Sequence, residues 1–192
     1  ITVVDPHRPG HERKYYPGET NLYMADVIIV NKCDTANPSD IETVLKNVHD
    51  TNPRATIIMA NSPVTVSDPP AVRNRAVLVV EDGPTLTHGE MKYGAGHIAA
   101  RKYGAATIVD PRPWAVGTIK KTFAKYSHVV DVLPAMGYGT KQMKELEQTI
   151  NAVPCDLVLI GTPIDLGRIL KINKPSMRVT YELEEREPGL VI

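Results

Sequence analysis

What most constrains this chain is an alternation, kept up along its length, of short apolar runs with amphipathic segments. The runs at 2–5, 27–30, 56–60, 77–80, 107–109, 129–133, 157–160 and 177–182 predict strands. Most are continuous rather than strictly alternating, which is the pattern of strands buried on both faces of a parallel sheet. Helices are expected between them. Segment 39–51 places Ile41, Val44, Leu45 and Val48 on one face, with Ser39 or Asp40 as cap. Segments 96–103, 115–126 and 140–152 follow, the last with Met143, Leu146 and Ile150 at helical spacing. Such an order implies right-handed βαβ units and an α/β fold: a mostly parallel, doubly wound sheet in a Rossmann-like, three-layer architecture. The last strand is expected to be an antiparallel edge, and its acidic end, Glu182 to Glu185, a solvated tail.

The sheet matters because of what the second run delivers. Val27–Val30 is followed at once by Asn31-Lys32-Cys33-Asp34 and then by the helix start Pro38-Ser39-Asp40. An Asn-Lys-x-Asp tetrad at a strand end suits a guanine base. The Asp34 carboxylate can accept from the ring N1–H and from the exocyclic 2-amino group. Adenine offers no such donor pair, so an ionised Asp34 facing it would be left unpaired at about 1–3 kcal/mol. Asn31 can pin the loop near the base edge, and the Lys32 stem can lie on the purine face. The alternative is a polar loop after a strand.

In open α/β sheets, ligands bind beyond the carboxyl ends of the strands. There this chain places Asp5, His7, Arg8, His11 and Glu12; then the tetrad; then Asn61 and Ser62; then Glu81 to Glu90; then Asp110 and Arg112. Asp5 could hold Mg²⁺ as a Walker B aspartate does, or simply cap its strand. Glu81-Asp82-Gly83-Pro84 makes an acidic turn, and Thr85, Thr87, His88 and Lys92 supply hydroxyl, imidazole and ammonium groups. Gly94 and Gly96 open a helix whose first N–H groups could receive an anion. A phosphate or substrate site is the functional reading of this segment; a structured loop is the bland one. Gly137 to Lys141 resembles a phosphate nest, but no Walker A sequence occurs. Nor is there zinc-ligand spacing, a Gly-x-Ser-x-Gly elbow or a dinucleotide-binding Gly-x-Gly-x-x-Gly. One local echo joins Asp5-Pro6-His7-Arg8-Pro9 with Asp110-Pro111-Arg112-Pro113.

Composition narrows the partners. The 192 residues suffice for one sizeable domain or two small ones. With 22 basic and 22 acidic side chains, the balance calls for neither nucleic acid nor an anionic membrane surface. No run reaches transmembrane length. Cys33 and Cys155 make no disulfide framework and fit a cytoplasmic protein. A homo-oligomer is compatible with all of this.

Taken together, the stretches 3–12 (VVDPHRPGHE), 31–34 (NKCD), 79–96 (VVEDGPTLTHGEMKYGAG), 109–113 (VDPRP) and 156–165 (DLVLIGTPID) resemble the predicted-GTPase family that includes cyclic 2,3-diphosphoglycerate synthetase. In that family a P-loop and an N-terminal α/β domain precede the matching segment. The resemblance therefore implies that residues 1–192 are the C-terminal part of a P-loop NTPase-like protein, without the N-terminal domain and the Walker A segment, and inactive alone. It implies nucleotide-dependent cyclisation of a phosphorylated small molecule, using GTP (or ATP) with Mg²⁺. On this reading Asn31, Lys32, Asp34, Asn61 and Ser62 serve the nucleotide, and Asp5 and Asp82 the metal. Arg8, Thr85, Thr87 and Arg112 serve phosphates; His88, Lys92 and Glu81 serve the chemistry. A regulatory switch GTPase without a small-molecule acceptor is the alternative, and a dinucleotide-binding domain comes last.

Overall fold

The computed structural model describes residues 1–14, 16–87, 92–137 and 139–187. In chain order these form β1 (Thr2–Val4), α1 (His11–Lys14), α2 (Gly18–Met24), β2 (Val27–Val30), α3 (Pro38–Thr51), β3 (Thr56–Asn61), β4 (Val64–Val66), β5 (Ala76–Asp82), α4 (Gly83–Thr87), α5 (Ala95–Lys102), β6 (Thr107–Ile108), α6 (Gly117–Lys125), β7 (Leu133–Ala135), α7 (Thr140–Ala152), β8 (Leu157–Gly161), β9 (Ser176–Tyr181) and β10 (Glu184–Glu185). The fold is α/β with mostly parallel strands, as the apolar runs imply. Where one sheet is expected, however, there are two. The chain divides into a first unit, Ile1–Pro63 with Tyr181–Ile192, and a second, Val64–Thr180. The division comes from β4, which directly follows β3 in sequence but pairs with β9 instead.

In the first unit β1, β2 and β3 run parallel, and β10 adds antiparallel to β3. The registers Val4↔Val30 and Val30↔Met59 bring the strand ends level, so Asp5, Asn31 and Asn61 leave the sheet at one edge. Alternation then sorts the side chains. Val4, Ile28 and Val30 share one face with Ile41, Val44 and Val48 of α3 and with Leu22 of α2. Ile29, Ile58 and Ala60 cluster on the other. Helix α3 starts one residue before the expected point, because Pro38 suits a first helical position, where no N–H is needed. Asn37 precedes it, its amide donating to Asp40 Oδ2 at 3.0 Å.

Just beyond α3 sits buried Asn52. Its Nδ2 lies 3.0, 3.2 and 2.8 Å from the carbonyl oxygens of Leu22, Tyr23 and Ala25, the carboxyl end of α2. One side chain thus closes the helix end its neighbours leave open. Asn52→Ala is expected to cost about 1–3 kcal/mol, since buried carbonyls lose their donor. Urea unfolding of the chain measures this; an unchanged midpoint would show that the cap carries no weight.

In the second unit β5 is central. Val77, Leu78, Val79 and Val80 are all 0% exposed, which accounts for their unbroken apolar run. β8 flanks β5 in parallel on one side. β6 and β7 share the other side, pairing with the beginning and the end of β5. β9 then runs parallel to β8, and β4 lies beyond it.

Three sequence expectations are corrected here. The run 129–133 is buried at Val129 and Val132, but ladder pairing begins only at Leu133. The strand 177–182 is parallel rather than an antiparallel edge. The antiparallel edge is instead Glu184–Glu185, from the acidic stretch expected to be merely solvated. Among the described residues, no helix is long and apolar enough to cross a membrane.

Candidate functional site: the loop after the second strand and a buried carboxylate

In the first unit the tetrad leaves β2 through a left-handed turn at Lys32, φ +62°. Asn31 keeps its backbone N–H on the Val4 carbonyl at 3.1 Å, and Cys33 N–H donates to Ala60 O at 3.0 Å. The loop is thereby stitched to both neighbouring strands. Asp34 is exposed, and its Oδ1 accepts from the Ser62 N–H at 3.0 Å. Ser62 therefore serves through its backbone, by fixing the carboxylate. Asn31 Oδ1 is buried and has no partner. Asn61 Oδ1 accepts from Arg186 Nε at 2.9 Å, and Arg186 Nη2 donates to the Cys33 carbonyl. Sequence reading missed Arg186. Nothing local marks it, and its partners stand far away in sequence.

The Lys32 ammonium is not free. It pairs with Asp5 Oδ2 at 2.7 Å, and Arg8 Nη2 reaches the same oxygen at 3.2 Å. Asp5 Oδ1 accepts from the His7 N–H at 3.0 Å. Burial works against the Asp5 charge, but Lys32, the His7 amide and Arg8 outweigh it and hold the carboxyl below its ordinary range. Both Asp5 oxygens are therefore engaged by the protein's own donors. Asp82 is engaged too: its Oδ2 accepts from Thr85 Oγ1 at 2.7 Å and Thr85 N at 3.2 Å, at the start of α4. Among the described residues, no three His, Cys, Asp or Glu side chains gather as metal ligands would.

In the second unit Glu81 is the last residue but one of β5, 2% exposed. Its Oε1 accepts from Gly94 N at 3.1 Å and His97 N at 2.9 Å, at the start of α5. The amides that the sequence offers to a phosphate are thus taken by the protein's own carboxylate. A Cβ at Gly94 or at Gly161 would stand 2.6 Å from Glu81 Oε2, so a side chain at either position would push the carboxyl aside. Burial pushes the Glu81 carboxyl up to about 7, against the amides that favour its charge. His97, which sequence reading passed over, stacks on Tyr93 with ring centroids 4.6 Å apart. Its Nδ1 is buried without a partner, and burial lowers its pKa.

The other sequence candidates divide. Thr87 is buried and spends its hydroxyl on the Gly83 carbonyl at 3.0 Å, within α4. Lys92 is exposed. Arg112 grips Asp110, with Nη2 on Oδ2 at 2.6 Å, while its N–H meets Oδ1 at 2.9 Å. The sequence echo is therefore also structural: Asp5 and Asp110 each accept the amide two residues on and a nearby guanidinium. His88 lies outside the described residues. Asp5, Asn31 and Asn61 share a sheet edge; Glu81 and Asp110 follow strands of the other sheet, so the single shared edge expected for all five is not formed.

Comparison with known proteins bears on the tetrad's unit first. Residues 1–59 match the CobW/HypB/UreG nucleotide-binding domain. The match ends within β3 and takes in β1, the tetrad and α3. Over 185 residues the chain is 61% identical to the arginine synthetase ArcE of Thermococcus kodakarensis, covering 96% of this chain and 41% of that protein. It is 22% identical over 189 residues to the cyclic 2,3-diphosphoglycerate synthetase of Methanosphaera stadtmanae, covering 96% and 40%. The chain spans about two fifths of the length of the curated relatives it matches.

Proposed function

We propose that this chain is the base-reading part of a nucleotide-dependent synthetase whose whole form carries a P-loop, and that its small-molecule chemistry concerns arginine. The observation that carries the first half is the Asp34 carboxylate. It is exposed at the end of a parallel strand with one oxygen held by Ser62, within the segment that matches a nucleotide-binding domain. Pre-set acceptors of this kind favour guanine, so GTP is the proposed nucleotide and ATP the competitor. The second half rests on the 61% identity to a protein named arginine synthetase. Cyclisation of a diphosphoglycerate, the other named chemistry, is supported by much lower identity.

A synthetase of this class activates one reactant by phosphoryl transfer and lets a second displace the phosphate, with positioning and charge neutralisation as the main contributions. Within this chain, Glu81 has the environment for proton work near neutral pH. Exposed Lys92 is the proposed phosphate contact, and His88 is the second proposed acid or base. Thr85, Thr87 and Arg112 would have to give up present partners to join them. Titration calorimetry of the full-length protein tests the reading. Arginine is expected to bind, more tightly with nucleotide present, and 2,3-bisphosphoglycerate to give no heat. The reverse result would return the protein to the cyclisation chemistry; heat from neither would remove both.

A further inference from the structure

We infer that Asp5 is a positioning residue for the nucleotide base, acting through Lys32, and not a metal ligand. This rests on the base-reading proposal above. β1 and β2 are paired neighbours, so the loop after β1 lies beside the tetrad. Two contacts join the two loops: Lys32 Nζ to Asp5 Oδ2 at 2.7 Å, and His7 Nε2 with Thr35 Oγ1 at 2.9 Å. Arg8 Nη2 adds a second cation on Asp5 at 3.2 Å. Two positive groups on one carboxylate repel a divalent ion, and both Asp5 oxygens already have partners.

The pair also explains how Lys32 keeps its backbone. At φ +62° a residue with a Cβ is strained, and such residues persist where their surroundings hold them. The Asp5 side chain is 15% exposed, which sets the pair apart from solvated surface pairs that contribute little. Anchored at its ammonium, Lys32 offers its methylene stem as the surface on which a purine can lie. Asp5 thus fixes the stem in the way that Ser62 fixes Asp34.

The test is nucleotide affinity of the full-length protein for GDP and ADP, by calorimetry, in Mg²⁺ and in EDTA. Wild type, Asp5→Asn, Asp5→Glu, Lys32→Gln and the Asp5→Asn/Lys32→Gln double variant are compared. Asp5→Asn is expected to weaken GDP about tenfold in both media, the weight of one charge-assisted hydrogen bond, and ADP by a similar factor, since either purine would lie on the same stem. It should add nothing once Lys32 is glutamine. Asp5→Glu keeps the charge and should recover most of the loss. A loss confined to Mg²⁺ would make Asp5 a metal ligand and overturn the inference. So would losses that add in the double variant, or an unchanged affinity for GDP in EDTA. If Asp5→Asn fails to fold, Lys32→Gln against Asp5→Glu decides: the first must weaken GDP in EDTA and the second must leave it close to wild type. Equal affinity of wild type for GDP and ADP is a separate outcome; it removes the base reading and this inference with it.

Discussion

Asp34→Asn in the full-length protein is expected to weaken GTP binding about a hundredfold, the loss of two hydrogen bonds to a charged acceptor. The same change should raise affinity for XTP. Xanthine carries a 2-carbonyl where guanine carries a 2-amino group, and the asparagine amide can donate where the carboxylate could only accept. The gain is the informative half, because an unfolded or distorted variant cannot produce it. The Ser62 N–H still finds the amide oxygen, so the pinning contact seen at 3.0 Å survives. Competition binding with GTP, ATP and XTP measures all three. A variant that loses GTP without gaining XTP would mean that Asp34 shapes the loop and does not touch the base.

The second large effect is on stability. Glu81 keeps its proton in the folded chain up to about pH 7, from an ordinary value of 4.5, with burial as the main cause. The folded state therefore binds a proton that the unfolded state has released, and stability falls as pH rises through that window. The contribution is fully present below about pH 4.5 and lost above about 7. A shift of this size corresponds to about 3 kcal/mol. Asp5, Asp110 and Glu145 act oppositely, being held below their ordinary range, and their contributions are lost at the acid end. The measurement is thus a difference: urea unfolding of wild type and Glu81→Gln across pH 4 to 8. The wild type is expected to lose stability relative to the variant as pH rises. Parallel curves would show that Glu81 titrates normally.

The sequence disclosed the element types because their causes are local. Val27–Val30 and Ala76–Asp82 read as buried parallel strands from their own apolar runs, and both are. The same locality hid the second sheet. Val64-Thr65-Val66 is too short to announce itself beside Pro63, and only its pairing with β9 reveals a strand. At the site, the tetrad was legible as a chemical pattern; its supports were not. The Lys32 stem is expected on a purine face from the tetrad alone, but the Asp5 carboxylate that holds its ammonium comes from the neighbouring strand and has no local signal. Gly94 and Gly96 were legible as the start of a helix with amides to offer. The group that takes them is the Glu81 carboxyl, thirteen residues from the nearer glycine, which no local pattern names.

The route of the chain through the first unit has a consequence for biosynthesis. The tetrad loop is clasped by Arg186, whose partner Asn61 was made 125 residues earlier, with all of Val64–Thr180 between them. At about 5–20 residues per second, the ribosome needs roughly 6–25 s to supply that arginine and strand β10. Until then β3 presents an unpaired edge and the loop after β2 lacks its clasp. The second unit, uninterrupted in sequence, can be complete before the first is closed. A nascent chain stalled short of residue 186 would hold the whole tetrad and still lack the contact that fastens it.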